Sequence, residues 1–406
     1  MVIENERQRN ILFSVCLIAL AFAISVGWHY AQAQYEGKGY PESTFLFAPG
    51  DKFNDFMNAF KALQANGTPY NFYTQSGVLM PYLPLTFVAL KPLAIFQIKT
   101  AFMVFSLFSI IAFVSIAYFS IFKKMNDRLI GYFLAIIFVV TSYPFLFQLD
   151  RGNVEMMVFI LMALFLWAFQ KNKAWAIIPL AAAIAMKLYP GVFLFLFLGK
   201  KQYRSFVFGS LLAILFGFIG YLSISLWSGD TILNIIGQNI HQMSLFTPMY
   251  AFSYMGFQHN HTLWGYVIGL NGLIQKMTGS PLIEYGIASK LYAVLAIVLF
   301  LLVALFVVFA RREQWRKIVA LTGCMLVLPY TSFDYTLINW FFAISAYLIY
   351  NKNKYSLPYL ILILIPFLPV DYILIKNDAS ISIVIYSITI SLAVLFAIFS
   401  GKKVRI

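Results

Sequence analysis

The sequence predicts an all-α polytopic membrane protein, a bundle of about 10 full transmembrane helices with short re-entrant helices and two long outer loops. The composition carries the first part of this prediction. Of the 406 residues, 61% are hydrophobic and only 11% are charged, whereas soluble domains carry about 25% charged residues. The mean hydropathy of +0.81 and the 18% aromatic content agree with lipid-facing helices.

The individual spans follow from the length of the apolar runs. A spanning helix needs about 20 predominantly apolar residues. Ten segments qualify, at about 11–28, 98–122, 129–147, 153–170, 204–226, 287–310, 317–333, 335–350, 356–372 and 380–400.

Two other apolar stretches do not fit a simple span. Residues 79–96 contain three prolines, which interrupt regular helix, and they predict a short or re-entrant helix. Residues 174–199 have basic clusters at both ends and a break at Lys187–Gly191, which predicts a broken helical hairpin. Non-helical backbone at membrane depth must face protein or a watery cavity.

The charge distribution predicts the topology. With both termini cytoplasmic, 19 of the 29 cations but only four of the 15 acids fall on the cytoplasmic side. The basic residues are thus topology signals, with attraction to membrane lipids as a second effect, and no nucleic-acid partner is expected.

The chain is interpreted as one domain, 1–406, with outer loops at 29–97 and 227–286.

The first outer loop offers a candidate base. Residues 55–63 follow helical spacing and predict an amphipathic helix at the membrane surface. At a water–lipid boundary the carboxylate of Asp55 could take a proton from a sugar hydroxyl, although Asp also favours helix caps. Asp51, four residues earlier, could share the same helical face.

Several motifs occur in an order that resembles glycosyltransferase family 87, a branch of the GT-C superfamily. They are Asp55-Phe56, Asn66–Tyr70, Tyr82-Leu83-Pro84-Leu85, Lys91-Pro92-Leu93, Arg151–Glu155, Lys187-Leu188-Tyr189-Pro190, Asn260–Gly265 and Pro329–Tyr335. Relatives often carry a His near the position of Asp334 or Tyr335, where this chain has none, and a Gln where it has His261. A different sugar or acceptor would account for both departures.

The resemblance implies an inverting transferase that moves a sugar, mannose by default, from a polyprenyl-phosphate donor to a glycolipid or glycan acceptor. It implies Asp55 as catalytic base, and Lys187 and Arg151 as ligands of the donor phosphate. The remaining candidate substrate-binding residues are Asp51, Asn153, Glu155, His259, Asn260, His261, Asp334 and Tyr335. No cofactor and no metal are expected. The abundance of Lys, Ile, Asn and Phe indicates a bacterial source, and the charge distribution then predicts an inner-membrane protein with the site on its outer side.

Each assignment has an alternative that the residues leave open. A lysine within an apolar hairpin is costly to bury but can snorkel to the interface. Arg151 could pair with Asp150 or Glu155, the histidines could lie in a solvated loop, and Asp334 could cap a helix. The alternative functions are a transporter or flippase for a lipid-linked or polar solute, and a surface polysaccharide polymerase or ligase.

Overall fold

The structure is a computed structural model that is almost entirely helical. It describes residues 2–36, 53–64, 67–71, 82–251, 260–351, 356–370, 374–376, 379–380 and 382–400.

Seventeen α-helices occur in the described part of the chain. The first nine are α1 (Val2–Glu36), α2 (Asn54–Gln64), α3 (Pro84–Leu90), α4 (Ile98–Ser120), α5 (Arg128–Thr141), α6 (Tyr143–Arg151), α7 (Glu155–Gln170), α8 (Ile177–Met186) and α9 (Phe195–Gly199). The others are α10 (Tyr203–Ser228), α11 (Ile232–Ala251), α12 (Leu263–Thr278), α13 (Tyr285–Phe309), α14 (Gln314–Val327), α15 (Phe341–Tyr350), α16 (Leu357–Leu364) and α17 (Ser382–Phe399).

Short 3-10 helices extend or join several of these helices. They lie at Pro69–Asn71, Lys91–Ile95, Phe122–Lys124, Ala174–Ala176, Tyr189–Leu194, Asp334–Trp340 and Ile365–Phe367. Two short strands, β1 (Leu374–Lys376) and β2 (Ala379–Ser380), pair in antiparallel fashion.

The chain divides into two compact units. The first comprises residues 1–49, 111–148 and 251–406, and the second comprises residues 50–110 and 149–250. Helices α4 and α6 contribute residues to both.

In the second unit, α10 packs against α8 and α3, and α7 packs against α8. Two glycines permit this close approach. A Cβ on Gly209 would lie 2.8 Å from Ile177, and one on Gly220 would lie 2.7 Å from the backbone nitrogen of Leu85. At Gly220 the neighbour is backbone, so α10 needs glycine there, whereas at Gly209 a larger residue would require the end of the Ile177 side chain to shift.

In the first unit, α14 packs against α15 and α17. Gly323 of α14 faces Val394 of α17 so closely that a Cβ would collide with it. At one end of this group the buried rings of Trp315, Tyr347 and Tyr359 pack together, with centroids 4.9–5.8 Å apart. Each aromatic side chain of this size buries about 150–250 Å².

The described helices have the features of a membrane protein, but the ten-span count is not confirmed. Four are long and apolar enough to span a membrane, at Glu4–Ala31, Ile98–Lys124, Tyr203–Ser228 and Tyr285–Phe309. A fifth is possible if α5 and α6, bent by 60°, form one span. The other predicted spans are shorter in the structure; the segment 335–350, for example, begins as a 3-10 helix.

The predicted loops and hairpin contain more helix than their names imply. The second loop holds α11 and α12, because apolar residues recur at helical spacing within it. In the segment 174–199, α8 ends at Met186 and Lys187 is extended, with φ −149° and ψ 133°. A 3-10 helix begins two residues later, at Tyr189.

Candidate active site

Helix α2 places Asp55 in its first turn. The helix buries Phe56, Ala59 and Phe60 on one face, while Asp55 itself is half-buried. Ahead of the helix, the backbone N–H of Phe53 donates to the carbonyl of Asp150 over 2.7 Å. The start of α2 is therefore fixed against the turn between α6 and α7.

Gly152 makes this approach possible. Its φ of +63° lies in the left-handed region that favours glycine. A Cβ at this position would also lie 2.7 Å from the Cβ of Phe56 and 3.1 Å from the ring of Phe102. Both the conformation and the contact therefore require glycine between Arg151 and Asn153.

Asn153 connects Asp55 to the start of α7. Its Nδ2 donates to Asp55 Oδ2 over 2.6 Å and lies 3.4 Å from the hydroxyl of Tyr82. Its Oδ1 accepts the backbone N–H of Glu155 over 3.0 Å. Because Asn153 is only 1% exposed, the amide is fixed and in turn orients the carboxylate of Asp55.

Glu155 makes the corresponding connection to the broken segment after α8. Its side chain is fully buried and accepts hydrogen bonds from Lys187 Nζ, over 2.7 Å, and from the Tyr189 hydroxyl. The Lys187 side chain is 15% exposed. The lysine is therefore ion-paired rather than extended alone toward an interface, and Glu155 fixes both of its partners.

Tyr82 lies between the acidic and the basic part of the cluster. Its hydroxyl is near Asn153, and Lys187 Nζ lies 6.0 Å from the centre of its ring. The backbone carbonyl of Tyr82 accepts hydrogen bonds from the Tyr70 hydroxyl, over 2.9 Å, and from Asn239, over 3.1 Å. Burial raises the pKa of the Tyr70 phenol well above its ordinary value, so the phenol stays protonated as a donor.

The second unit thus brings six of its side chains into one connected cluster: Asp55, Tyr82, Asn153, Glu155, Lys187 and Tyr189. Asn153 and Glu155 are buried, whereas the other four are half-buried. An oriented carboxylate and a cation are held beside two phenol rings. This combination can accept a proton, contact a sugar ring and place positive charge near a departing anion.

Tyr82 and Tyr189 were not among the candidate site residues that the sequence supplied. Both belong to the motifs that carried the resemblance, but a tyrosine in an apolar sequence is also typical of an interfacial belt. Only the contacts of their hydroxyls distinguish them from other tyrosines.

Arg151 lies next to the cluster in sequence. Its Nε is 3.9 Å from Asp150 Oδ2, one of the pairings that the sequence left open, and its side chain is 14% exposed. A role for Arg151 in phosphate binding stays a prediction.

The first unit contains a second polar cluster, around His261 and Asp334. His261 Nδ1 lies 3.1 Å from Asp334 Oδ1, and the Tyr143 hydroxyl donates to Asp334 Oδ2 over 2.6 Å. His261 Nε2 lies 3.2 Å from the Ser332 hydroxyl. The exposed fractions of His261, Asp334 and Tyr143 are all 0%.

Asn260 joins the same cluster through its amide. Its Nδ2 donates to the carbonyl of Tyr330 over 3.0 Å, and its Oδ1 accepts the N–H of Ser332 over 3.1 Å. A Cβ on Gly265 would collide with the Asn260 carbonyl, so glycine is required in the first turn of α12. The segment after α14 is therefore tied to the start of α12.

These contacts give Asn260, His261 and Asp334 a clear structural role, and direct contact with substrate stays a prediction for each. Tyr335 is half-buried, and its ring centre lies 5.9 Å from that of Phe333. Asp51 and His259 lie outside the described residues, so their assignments also stay predictions. Among the residues that the structure describes, no three His, Cys, Asp or Glu side chains form a group that could hold a metal ion.

The chain matches a protein-family model. The model of glycosyltransferase family 87 matches residues 81–329, which is more than half of the chain. The matched region includes Tyr82, Asn153, Glu155 and Lys187, whereas Asp55 precedes it. No curated protein and no solved structure matches the chain.

Proposed function

Because the chain belongs to glycosyltransferase family 87, we propose that it is an inverting enzyme that transfers a sugar from a polyprenyl-phosphate donor. The sugar is mannose by default, and the acceptor is a glycolipid or glycan at the outer face of the membrane. Membership of this family makes the chain a glycosyltransferase. It therefore favours sugar transfer over the alternative of a transporter or flippase.

One observation carries the assignment of the site. Asn153 and Glu155, two residues apart at the start of α7, hold Asp55 and Lys187 respectively. Tyr82 contacts Asn153 and lies beside Lys187. A candidate base and a candidate phosphate ligand, from segments more than 130 residues apart in sequence, therefore belong to one hydrogen-bonded cluster.

In the proposed reaction, Asp55 accepts the proton of the attacking acceptor hydroxyl. The hydroxyl oxygen forms a bond to the anomeric carbon as the bond from that carbon to the phosphate oxygen breaks. The bonding electrons leave with the polyprenyl phosphate. A single displacement of this kind inverts the configuration at the anomeric carbon.

Lys187 is the first candidate for the cation that stabilises the departing phosphate, and Arg151 is the second. Glu155 has a positioning role, because it fixes the ammonium group of Lys187 and the phenol of Tyr189. The Tyr82 and Tyr189 rings, which flank Lys187 Nζ at 6.0 and 5.9 Å, suit contact with the apolar face of a sugar.

The proposed setting is a bacterial inner membrane, with both termini cytoplasmic and the site on the periplasmic side. The asymmetry of the basic residues supports this orientation. The partners are then the polyprenyl-phosphate donor, the acceptor and the surrounding lipids, and the reaction needs no cofactor.

The test is sugar transfer by the purified protein in liposomes, with polyprenyl-phosphate mannose as donor and a membrane glycolipid extract as acceptor. Asp55→Asn is expected to lower transfer by about 10²–10⁴-fold, because the amide cannot accept the proton. Asp230→Asn is the matched control, since Asp230 is a described carboxylate whose hydrogen bonds lie at the start of α11. Near-normal transfer by folded Asp55→Asn would exclude Asp55 as the base.

A further inference from the structure

A groove in the second unit lies away from the hydrogen bonds of the candidate site. Its volume is about 940 Å³, and its walls include Val88, Ala94 and Ile95 on one side and Ser223 and Trp227 on the other. This volume is at the upper end of the roughly 300–1,000 Å³ that is typical of small-molecule pockets.

The position of the groove along α10 relates it to the membrane surface. Tyr203–Ser228 is one of the helices long and apolar enough to span a membrane, and Ser223 and Trp227 lie in its last turns. Tryptophan is enriched where a span meets the lipid headgroups. The neighbouring Leu226 and Ile95 are 78% and 81% exposed, as expected of residues that contact lipid chains.

Lys91 is the charged residue among the described residues that line the groove. Its Nζ lies 4.8 Å from the centre of the Trp227 ring and 3.3 Å from the carbonyl of Leu63. The bond to Leu63, in the last turn of α2, is a helix-terminal contact that lysine commonly makes. It uses one of the three ammonium N–H donors, and no carboxylate pairs with Lys91 in the described part of the chain.

We propose that this groove binds an anionic phospholipid, with its phosphate on Lys91 and its chains along the apolar walls. The charge complementarity argues for this occupant: a lysine that pairs with no described carboxylate faces a groove that has apolar walls and lies at the end of a span. A zwitterionic lipid would offer Lys91 the same phosphate together with a repelling cation. The proposal does not depend on the sugar-transfer mechanism.

Tryptophan quenching by brominated lipids tests this site directly. The protein is reconstituted in equimolar phosphatidylglycerol and phosphatidylcholine, with bromine on the chains of one lipid or of the other. The difference between the wild-type protein and Trp227→Phe isolates the fluorescence of Trp227. Phosphatidylglycerol is expected to be enriched about fivefold at Trp227, from the usual attraction of one lysine for an anionic headgroup.

Lys91→Gln should abolish this preference, whereas Lys91→Arg should keep it. Lys99→Gln is the matched control, because Lys99 is an exposed lysine in the first turn of α4 and does not line the groove. If Lys91→Gln does not fold, the lipid preference is measured in Ser223→Phe instead and should likewise be lost. It narrows the groove, and the Ser223 hydroxyl donates to the Ile219 carbonyl of its own helix.

Equal quenching by the two lipids in the wild-type protein would overturn the proposal. It would also be overturned by a preference that persists in Lys91→Gln or in Ser223→Phe. Loss of the preference to the same extent in Lys99→Gln would mean that diffuse surface charge attracts the lipid, and would likewise overturn it.

Discussion

The ion pair between Lys187 and Glu155 allows a structural role to be separated from a role in catalysis. Lys187→Met leaves the fully buried Glu155 carboxylate without its cation, and Glu155→Gln leaves Lys187 without its anion. The double variant removes both charges and keeps side chains of similar size. It should therefore recover stability that either single variant loses.

The magnitudes follow from the burial of the pair. The Glu155 side chain is 0% exposed and that of Lys187 is 15% exposed, so breaking the pair from one side should cost about 3–5 kcal/mol. Lys187→Met should be the more costly change, because the amide introduced by Glu155→Gln would still offer an oxygen to Tyr189. Replacing both charges by neutral groups is often close to neutral for stability, so the double variant should recover most of the loss.

Activity should respond differently from stability. Without positive charge for the departing phosphate, the double variant should transfer sugar about 10²–10³-fold more slowly, the usual cost of losing one electrostatic contact to a transition state. Thermal unfolding in detergent measures stability, and transfer in liposomes measures activity. Lys200→Met is the control, because the Lys200 ammonium bonds to the neutral Asn172 amide and a backbone carbonyl.

Near-normal transfer by the double variant would refute the reasoning, since Lys187 would then serve only to neutralise Glu155. Single variants that are as stable as the wild-type protein would refute the premise that the pair is buried in the folded protein.

Two further predictions concern the two units separately. Gly152→Ala should destabilise the protein by at least about 1–3 kcal/mol, from the left-handed backbone and the contact with Phe56. In thermal unfolding Gly237→Ala should instead be neutral or stabilising, because nothing lies within 4 Å of the added Cβ. Tyr143→Phe should lower the free energy of unfolding by about 1–3 kcal/mol, because it removes a donor to the buried Asp334. Sugar transfer per folded molecule should be unchanged. Loss of transfer at full stability would instead place the Asp334 carboxylate at the substrate.

The sequence predicted the helical membrane-protein class, whereas the number of spans that it predicted is not confirmed among the described residues. Composition alone indicates a helical membrane protein, because so few charges cannot cover a soluble surface. The count of ten treated each apolar run of sufficient length without an internal break as a straight span. The run that starts at residue 335 shows the difficulty, because its first turns form a 3-10 helix, at Asp334–Trp340, and α15 has only 10 residues.

For the candidate site, too, the sequence predicted some features and not others. The cost of burying Lys187 in an apolar segment favoured it as a phosphate ligand, and the structure pairs it with Glu155, which the sequence placed among the substrate ligands. The pairing itself could not be read from the sequence, because 32 residues and a break in the helix separate the two. Likewise, nothing in the spacing of Asn153 and Asp55 indicates their contact, which depends on the conformation of Gly152.

The candidate base Asp55 lies before the region that the family model matches. The family model begins at residue 81, yet the groups that fix Asp55 lie inside the match. Asn153 orients its carboxylate, the Asp150 carbonyl accepts the N–H of Phe53, and Gly152 admits α2. The matched segment thus determines where α2 packs, and the sequence of α2 needs only to supply an apolar face and a carboxylate in its first turn. Such a helix can vary in most of its residues while its carboxylate stays in place, so a family-wide pattern need not extend over it.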